Sequence, residues 1–247
     1  MQQQQQQEQQ RLRARLGVVL PSVNTVVEPW FNSVLPADVT VHATRMLLSD
    51  ELTAQALRKM DHEEGMEAVT RIKSCRPSAV AYCCTASSVV QGLAYDAQLQ
   101  AALEARAGVP CFTAVGALVE ALRALHVRKI SIASPYTDAI DHAERELFEA
   151  AGFKVCGAAN LGIADSFELA SPTARDITEL AARAWSDDSD ALLISCLNLN
   201  SQQVVDVLER QLGKPVVTST TTTLWKLLRS AGVHDRIEGY GRLFAIQ

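Results

Sequence analysis

The sequence predicts an α/β protein of two pseudo-symmetric lobes, each a parallel sheet flanked by helices. Three observations predict it. Short apolar runs alternate with stretches of helix-forming composition over most of the chain, the pattern of strand–helix units stacked on parallel sheets. The second half repeats the first: Pro21 and Pro135 lie 114 positions apart, Cys84 and Cys196 112, and Pro110 and Pro215 105. That period is too long for a solenoid and reads as a duplicated lobe. In each half an apolar run ends in cysteine, at Cys83-Cys84 and at Cys196, and a polar stretch follows.

Each element has its own signal. Residues 16–20 form a short apolar strand, broken by Pro21-Ser22-Val23-Asn24-Thr25. Glu28 and Pro29 suit a first helical turn and open a helix with Trp30 and Phe31. Residues 39–44 alternate as a strand does. Ser49 or Asp50 is the cap expected for the helical composition of 53–75. An apolar strand from Ser78 runs into Cys83-Cys84, and Thr85-Ala86-Ser87-Ser88 reads as a tight polar loop and helix start. A helix over 96–106 ends at Gly108, 109–113 is a strand, and a helix follows to about Leu125.

The pattern then begins again. Residues 129–134 form a strand, broken by Pro135-Tyr136-Thr137-Asp138. A helix over 139–151 stops at Gly152, and 154–157 is a strand. Helices are expected over 172–186 and 201–212, with the strand into Cys196 between them. Residues 215–218 form a strand and 224–231 a helix; the hydroxyl run from Thr218 to Thr223 reads as a polar loop and helix start on the cleft side. Residues 1–14, rich in Gln, read as a disordered tail, residues 15–126 as the first lobe and 127–247 as the second. The assignment leaves room for the C-terminal segment to return to the first lobe.

Composition narrows the function. The 247 residues are 48% hydrophobic, enough for a large core, and the net charge of −5 argues against nucleic acid as a partner. No apolar run reaches the roughly 18 residues of a membrane span, so no membrane partner is expected. The six cysteines are scattered through apolar segments without C-x-x-C, neither a disulfide framework nor a zinc pattern; the reading is a reduced, cytoplasmic chain. Cys75, Cys83, Cys111 and Cys156 read as packing residues, and the five histidines lack metal spacing. There is no P-loop and no G-x-S-x-G elbow, and Gly239-Tyr240-Gly241 is not a dinucleotide fingerprint.

What remains is the pair of strand-end thiols. Ligands of open α/β sheets bind at the carboxyl ends of strands, so a ligand in the cleft would meet one thiol from each lobe. Backbone amides at the following helix start could bind an anion and favour the thiolate. One thiolate could then take a proton or attack carbon while the opposite thiol donates a proton. Both racemisation of an amino acid or hydantoin and cis–trans isomerisation fit, and neither requires a metal or another cofactor; a non-catalytic carboxylate-binding protein on the same scaffold is the third reading.

These residues resemble the aspartate/glutamate/hydantoin racemase superfamily, and within it the branch of maleate cis–trans isomerases and arylmalonate decarboxylases. The likeness covers about residues 16–244. It rests on Pro21-Ser22-Val23-Asn24-Thr25, His42-Ala43-Thr44-Arg45-Met46, Tyr82-Cys83-Cys84-Thr85-Ala86-Ser87, Pro135-Tyr136, Ile194-Ser195-Cys196 and Gly239-Tyr240-Gly241-Arg242-Leu243. The resemblance implies a racemase-like fold and a homodimer or larger homo-oligomer. It also implies a small unsaturated dicarboxylate as substrate, with Cys84 as nucleophile and Cys196 as the proton-handling thiol. Strand alternation agrees that only one of Cys83 and Cys84 faces the cleft. The resemblance further implies substrate binding by Asn24 and Tyr136 and by the amides of Thr85 and Ala86, with Ser166 and Leu197 completing the set. The decarboxylases carry glycine at the Cys84 position. This chain departs from the isomerase pattern at Thr85-Ala86-Ser87 for T-S-G, at Ser166 for asparagine, and after Cys196.

Overall fold

The computed structural model describes residues 12–48 and 52–246. It contains two four-stranded parallel sheets with the same strand order, which is the duplication in three dimensions. In the first lobe β1 (Ala14–Pro21) pairs with β2 (Val39–Met46) and β3 (Ala79–Tyr82), and β3 with β4 (Cys111–Thr113), giving the order β2-β1-β3-β4. In the second, β5 (Lys129–Ser134), β6 (Lys154–Asn160), β7 (Ala191–Ile194) and β8 (Val216–Thr218) are ordered β6-β5-β7-β8. The registers correspond too: Val19 sits opposite Tyr82 as Ala133 sits opposite Ile194. Every residue of β3 and β7 is buried, because helices cover both faces of a parallel sheet.

The helices of the first lobe are α1 (Val27–Val34), α2 (Ala54–Met60), α3 (Met66–Lys73), α4 (Thr85–Gln91), α5 (Leu93–Ala107) and α6 (Ala114–Ala124). Those of the second are α7 (Asp138–Ala150), α8 (Ala174–Ala184), α9 (Val205–Leu212) and α10 (Ser219–Ser230). α8 can lie close on β6 because Gly157 has no side chain: a Cβ there would stand 2.3 Å from the Ala184 carbonyl oxygen. The lobes share helices, since α10 packs on α6 and β3, and α7 on α4. The C-terminal segment also reaches the first lobe, where the Tyr240 ring meets Trp30 edge-on at 4.9 Å and Asp235 pairs with Arg13 at 2.5 Å.

Several elements differ from the sequence reading. β1 starts at Ala14, inside the expected tail, because Arg13 is tied to Asp38 and Asp235; residues 1–11 lie outside the described residues. The caps expected at Ser49 and Asp50 lie outside them as well, and α2 is capped by Thr53, whose hydroxyl oxygen accepts the Ala56 amide at 3.2 Å. The stretch 53–75 is two helices joined by a π-helical turn, Asp61–Gly65. The polar loop after Cys84 is absent: Cys84 is itself the N-cap, and Thr85 to Ser88 form the first turn of α4. The Thr218–Thr223 run is helical from Ser219, because Thr218 and Thr221 form a capping box and the Thr222 hydroxyl donates back to the Thr218 carbonyl at 2.9 Å. The helix expected over 201–212 begins as a 3-10 turn at Ser201–Val204.

Candidate active site

The two strand-end cysteines meet at one cavity. Cys84 stands at the carboxyl end of β3 and Cys196 just beyond β7, and both line a cavity of about 40 Å³ between the lobes. All eight residues expected at the site, Asn24, Cys84, Thr85, Ala86, Tyr136, Ser166, Cys196 and Leu197, line it. Leu48, Leu52 and Leu169 add an apolar wall. The expectation that Cys83 points away does not hold entirely, because β3 ends at Tyr82 and strand alternation stops there. Cys83 contributes to the lining, with its thiol directed at the Ala81 carbonyl at 3.6 Å.

Helix and loop amides surround each sulfur. The amides of Ala86 and Ser87, in the first turn of α4, donate to the Cys84 sulfur. The Cys196 sulfur receives the Tyr136 hydroxyl and the amides of Asn198 and Leu199. These donors favour thiolates, as the sequence suggested, but burial wins. It pushes the Cys84 thiol up to about 12, with the nearby Asp61 charge adding to it. It pushes Cys196 up to about 11. Both are therefore thiols at neutral pH. Burial raises the Tyr136 hydroxyl well above its ordinary range, so it stays a donor.

The loops that carry the site are bolted across the lobes. Asn24 accepts the amides of Val26 and Val27 at 3.1 and 3.0 Å, so its side chain caps α1. Its Nδ2 donates to the Leu197 carbonyl at 3.1 Å, leaving one N–H for a ligand. The Asn198 side chain accepts the Thr25 amide at 3.1 Å and donates to the Ser166 carbonyl at 3.0 Å. The Ser166 hydroxyl is buried, has no partner and lines the cavity. Arg45 donates to the Asn24 carbonyl at 2.7 Å and pairs with Glu28, so it holds the loop from behind. Cys196 has φ +86°, the left-handed region that side chains rarely adopt.

Two contributors were not identified from the sequence. Ser219 Oγ accepts the Cys196 amide at 3.0 Å and the Thr85 hydroxyl at 3.3 Å, joining the two halves of the site. The hydroxyl run after Thr218 was its only signal. Asn198 stood in the departing segment after Cys196, and nothing local marked its partners. Among the described residues that line the cavity there is no Lys, Arg or His. Anionic groups would have to be received by amides, hydroxyls and Asn24. Among the described residues no cluster of His, Cys, Asp and Glu could hold a metal ion, and no helix is long and apolar enough to cross a membrane.

The family model for arylmalonate decarboxylase matches residues 16–244. A maleate isomerase of Geobacillus stearothermophilus is 27% identical over 94% of this chain and 97% of its own length. An arylmalonate decarboxylase of Bordetella bronchiseptica is 28% identical over 91% of this chain and 96% of its own. Among solved structures, a cysteine-to-serine variant of Nocardia farcinica maleate cis-trans isomerase with a covalently bound succinylcysteine intermediate superposes with a TM-score of 0.87. It shares 26% identity, covering 94% of this chain and 98% of that one.

Proposed function

The chain belongs to the arylmalonate decarboxylase family, and we propose that it is a cofactor-independent cis–trans isomerase of a small unsaturated dicarboxylate, of the maleate-to-fumarate type. The observation that carries the reading is one thiol from each lobe on a single small cavity. A thiol at Cys84, where the decarboxylases are expected to have glycine, favours isomerisation over decarboxylation. The N. farcinica relative held as a succinylcysteine adduct supports covalent chemistry of this kind.

In this reading the working form is the thiol pair with one proton removed. The Cys84 thiolate adds to one alkene carbon, and the π electrons move toward the neighbouring carbon and its carboxylate. Cys196 gives its proton to that neighbouring carbon, leaving a succinyl thioether on Cys84 and a thiolate at Cys196. Rotation about the new single bond follows. Cys196 then takes the proton back, the double bond re-forms, the C–S bond breaks and Cys84 leaves as thiolate. Asn24 Nδ2, the Thr85 amide and the free Ser166 hydroxyl would hold the carboxylates, joined by the Ala86 amide and the Tyr136 hydroxyl as these turn from the Cys84 and Cys196 sulfurs to the ligand, with Leu197 closing the cavity beside Cys196. The chain would work in the cytoplasm, where its six unpaired cysteines stay reduced, and as a homodimer or larger homo-oligomer, which light scattering would test.

Proton NMR of maleate with the reduced protein tests the function. Fumarate is expected with the wild type and absent with Cys84→Ala and Cys196→Ala. A folded wild-type protein that leaves maleate untouched overturns the maleate reading. Solvent-deuterium exchange of an amino acid or hydantoin at its stereocentre, with no isomerisation, would assign a racemase instead.

A further inference from the structure

Behind each thiol lies a buried carboxyl group that the chemistry above does not use. Asp61 is fully buried, in the π-helical turn between α2 and α3. Its Oδ1 accepts the Tyr82 hydroxyl at 2.6 Å. Its Oδ2 accepts the Ser87 hydroxyl, the Tyr95 hydroxyl at 2.8 Å and the Gln91 side-chain amide at 3.2 Å. Tyr82 is the last residue of β3, and Ser87 supplies one of the amides aimed at the Cys84 sulfur. One carboxylate thus grips the chain on both sides of Cys84. The turn is shaped for this contact: a Cβ on Gly65 would stand 2.7 Å from the Tyr82 hydroxyl oxygen. π-Helical turns of this kind are frequent at functional sites.

The second lobe repeats the arrangement with other residues. Glu144 on α7 is fully buried, and its Oε1 accepts the hydroxyl of Ser195, the residue before Cys196. Its Oε2 has no partner. The sequence repeat does not align these acids: Asp61 precedes Cys84 by 23 positions and Glu144 precedes Cys196 by 52. The two lobes therefore reach the same end by separate routes. Taking Cys84 and Cys196 as the reacting thiols, we propose that Asp61 and Glu144 are positioning residues, one per lobe, each holding its thiol through a neighbouring hydroxyl group, that of Ser87 or Ser195.

The electrostatics give the proposal a signature. Burial raises the Asp61 carboxyl above its ordinary range, and the four groups that donate to it oppose that pull. Its charge acts on Cys84 and raises that thiol. The other ionisable groups facing it are Tyr82 and Tyr95, with Arg58 stacked on the Tyr95 ring. On β2, which also packs on the turn, Arg45 is paired with Glu28 and His42 is hydrogen-bonded to Thr40. On α3, Glu67 and Arg71 pair with each other. Burial pushes Glu144 up to about 8, so it is neutral below that pH and charged above it. Cys196 and Tyr136 face it, with Asp141 one turn earlier on its own helix, where Arg145 pairs with Asp141. α4, packed on α7, carries no titratable side chain, and β6 brings Lys154 and Cys156.

The test is the pH dependence of iodoacetamide alkylation, followed separately at Cys84 and Cys196 by peptide mapping in the full-length protein. Asp61→Asn is expected to speed Cys84 alkylation at pH 8 at least threefold and to change Cys196 less than twofold. Glu144→Gln is expected to leave Cys196 unchanged at pH 7 and to speed it at least twofold at pH 9. If Asp61→Asn does not fold, Ser87→Ala asks the same question and should slow Cys84 alone, because the first turn of α4 loses its anchor. A Cys84 curve that superimposes on wild type, a Cys196 curve in Glu144→Gln that does so at pH 9, or equal shifts at both cysteines, would overturn the proposal. No substrate enters this measurement, so a chain that fails to isomerise maleate but shows these shifts sinks the isomerase reading and keeps the positioning role.

Discussion

The Cys196 amide donates to Ser219 Oγ at 3.0 Å. This bond ties the end of β7 to the first turn of α10, and the same oxygen receives the Thr85 hydroxyl from the other lobe at 3.3 Å. Ser219 is fully buried, so water cannot replace it. Ser219→Ala should cost about 1–3 kcal/mol of stability, the usual cost of leaving a buried donor unpaired. Turnover should fall about tenfold or more as Cys196 loses its anchor. Urea melts with maleate kinetics check both; a variant as stable and as active as wild type would remove Ser219 from the site.

The left-handed backbone at Cys196, φ +86°, is strained for any residue with a Cβ. Cys196→Gly should therefore be more stable than Cys196→Ala by about 1 kcal/mol, although both lose the thiol. Equal melting midpoints for the two variants would show that the surrounding loop relaxes the strain.

Thiols pushed up to about 12 and 11 are scarcely ionised near neutral pH. If the singly ionised pair is the working form, its population grows about tenfold per pH unit well below those values. The rate constant kcat/KM should then climb with a slope near one between pH 7 and 9. A plateau across that range would mean that a thiolate already exists at neutral pH.

Burial raises Glu144 from 4.5 to about 8 in the folded protein. The folded state therefore holds a proton that the unfolded chain releases. Its contribution is fully present below about pH 4.5 and is lost as pH rises through about 8, a cost on the order of 4 kcal/mol. Glu144→Gln removes this dependence. The variant should match wild type near pH 4 and exceed it in stability at pH 9; a constant difference across pH would contradict the shift.

Asn24 shows how a residue can be rightly placed and still differently employed. The P-S-V-N-T turn put it at the cavity, but its carbonyl oxygen caps α1 and one N–H bolts Leu197. Asn24→Ala should cost about 1–2 kcal/mol through the lost cap and weaken dicarboxylate binding as well. Calorimetry of the unfolding and of maleate binding would separate the two losses.

The sequence by itself determined the succession of strands and helices in each lobe, the duplication, and the placing of Cys84 and Cys196 at corresponding strand ends. Those features follow from apolar periodicity and from where a strand ends, which are local properties of the chain. It also marked the turn residues at Asn24 and Tyr136 through short motifs. Only the tertiary structure decided the rest. Ser219, Asn198, Asp61 and Glu144 find partners at least 21 positions away, and no local pattern encodes such pairings. The thiol protonation states reversed the sequence expectation for the same reason. Helix-start amides are legible one residue at a time, whereas the desolvation that outweighs them belongs to the whole packed interior.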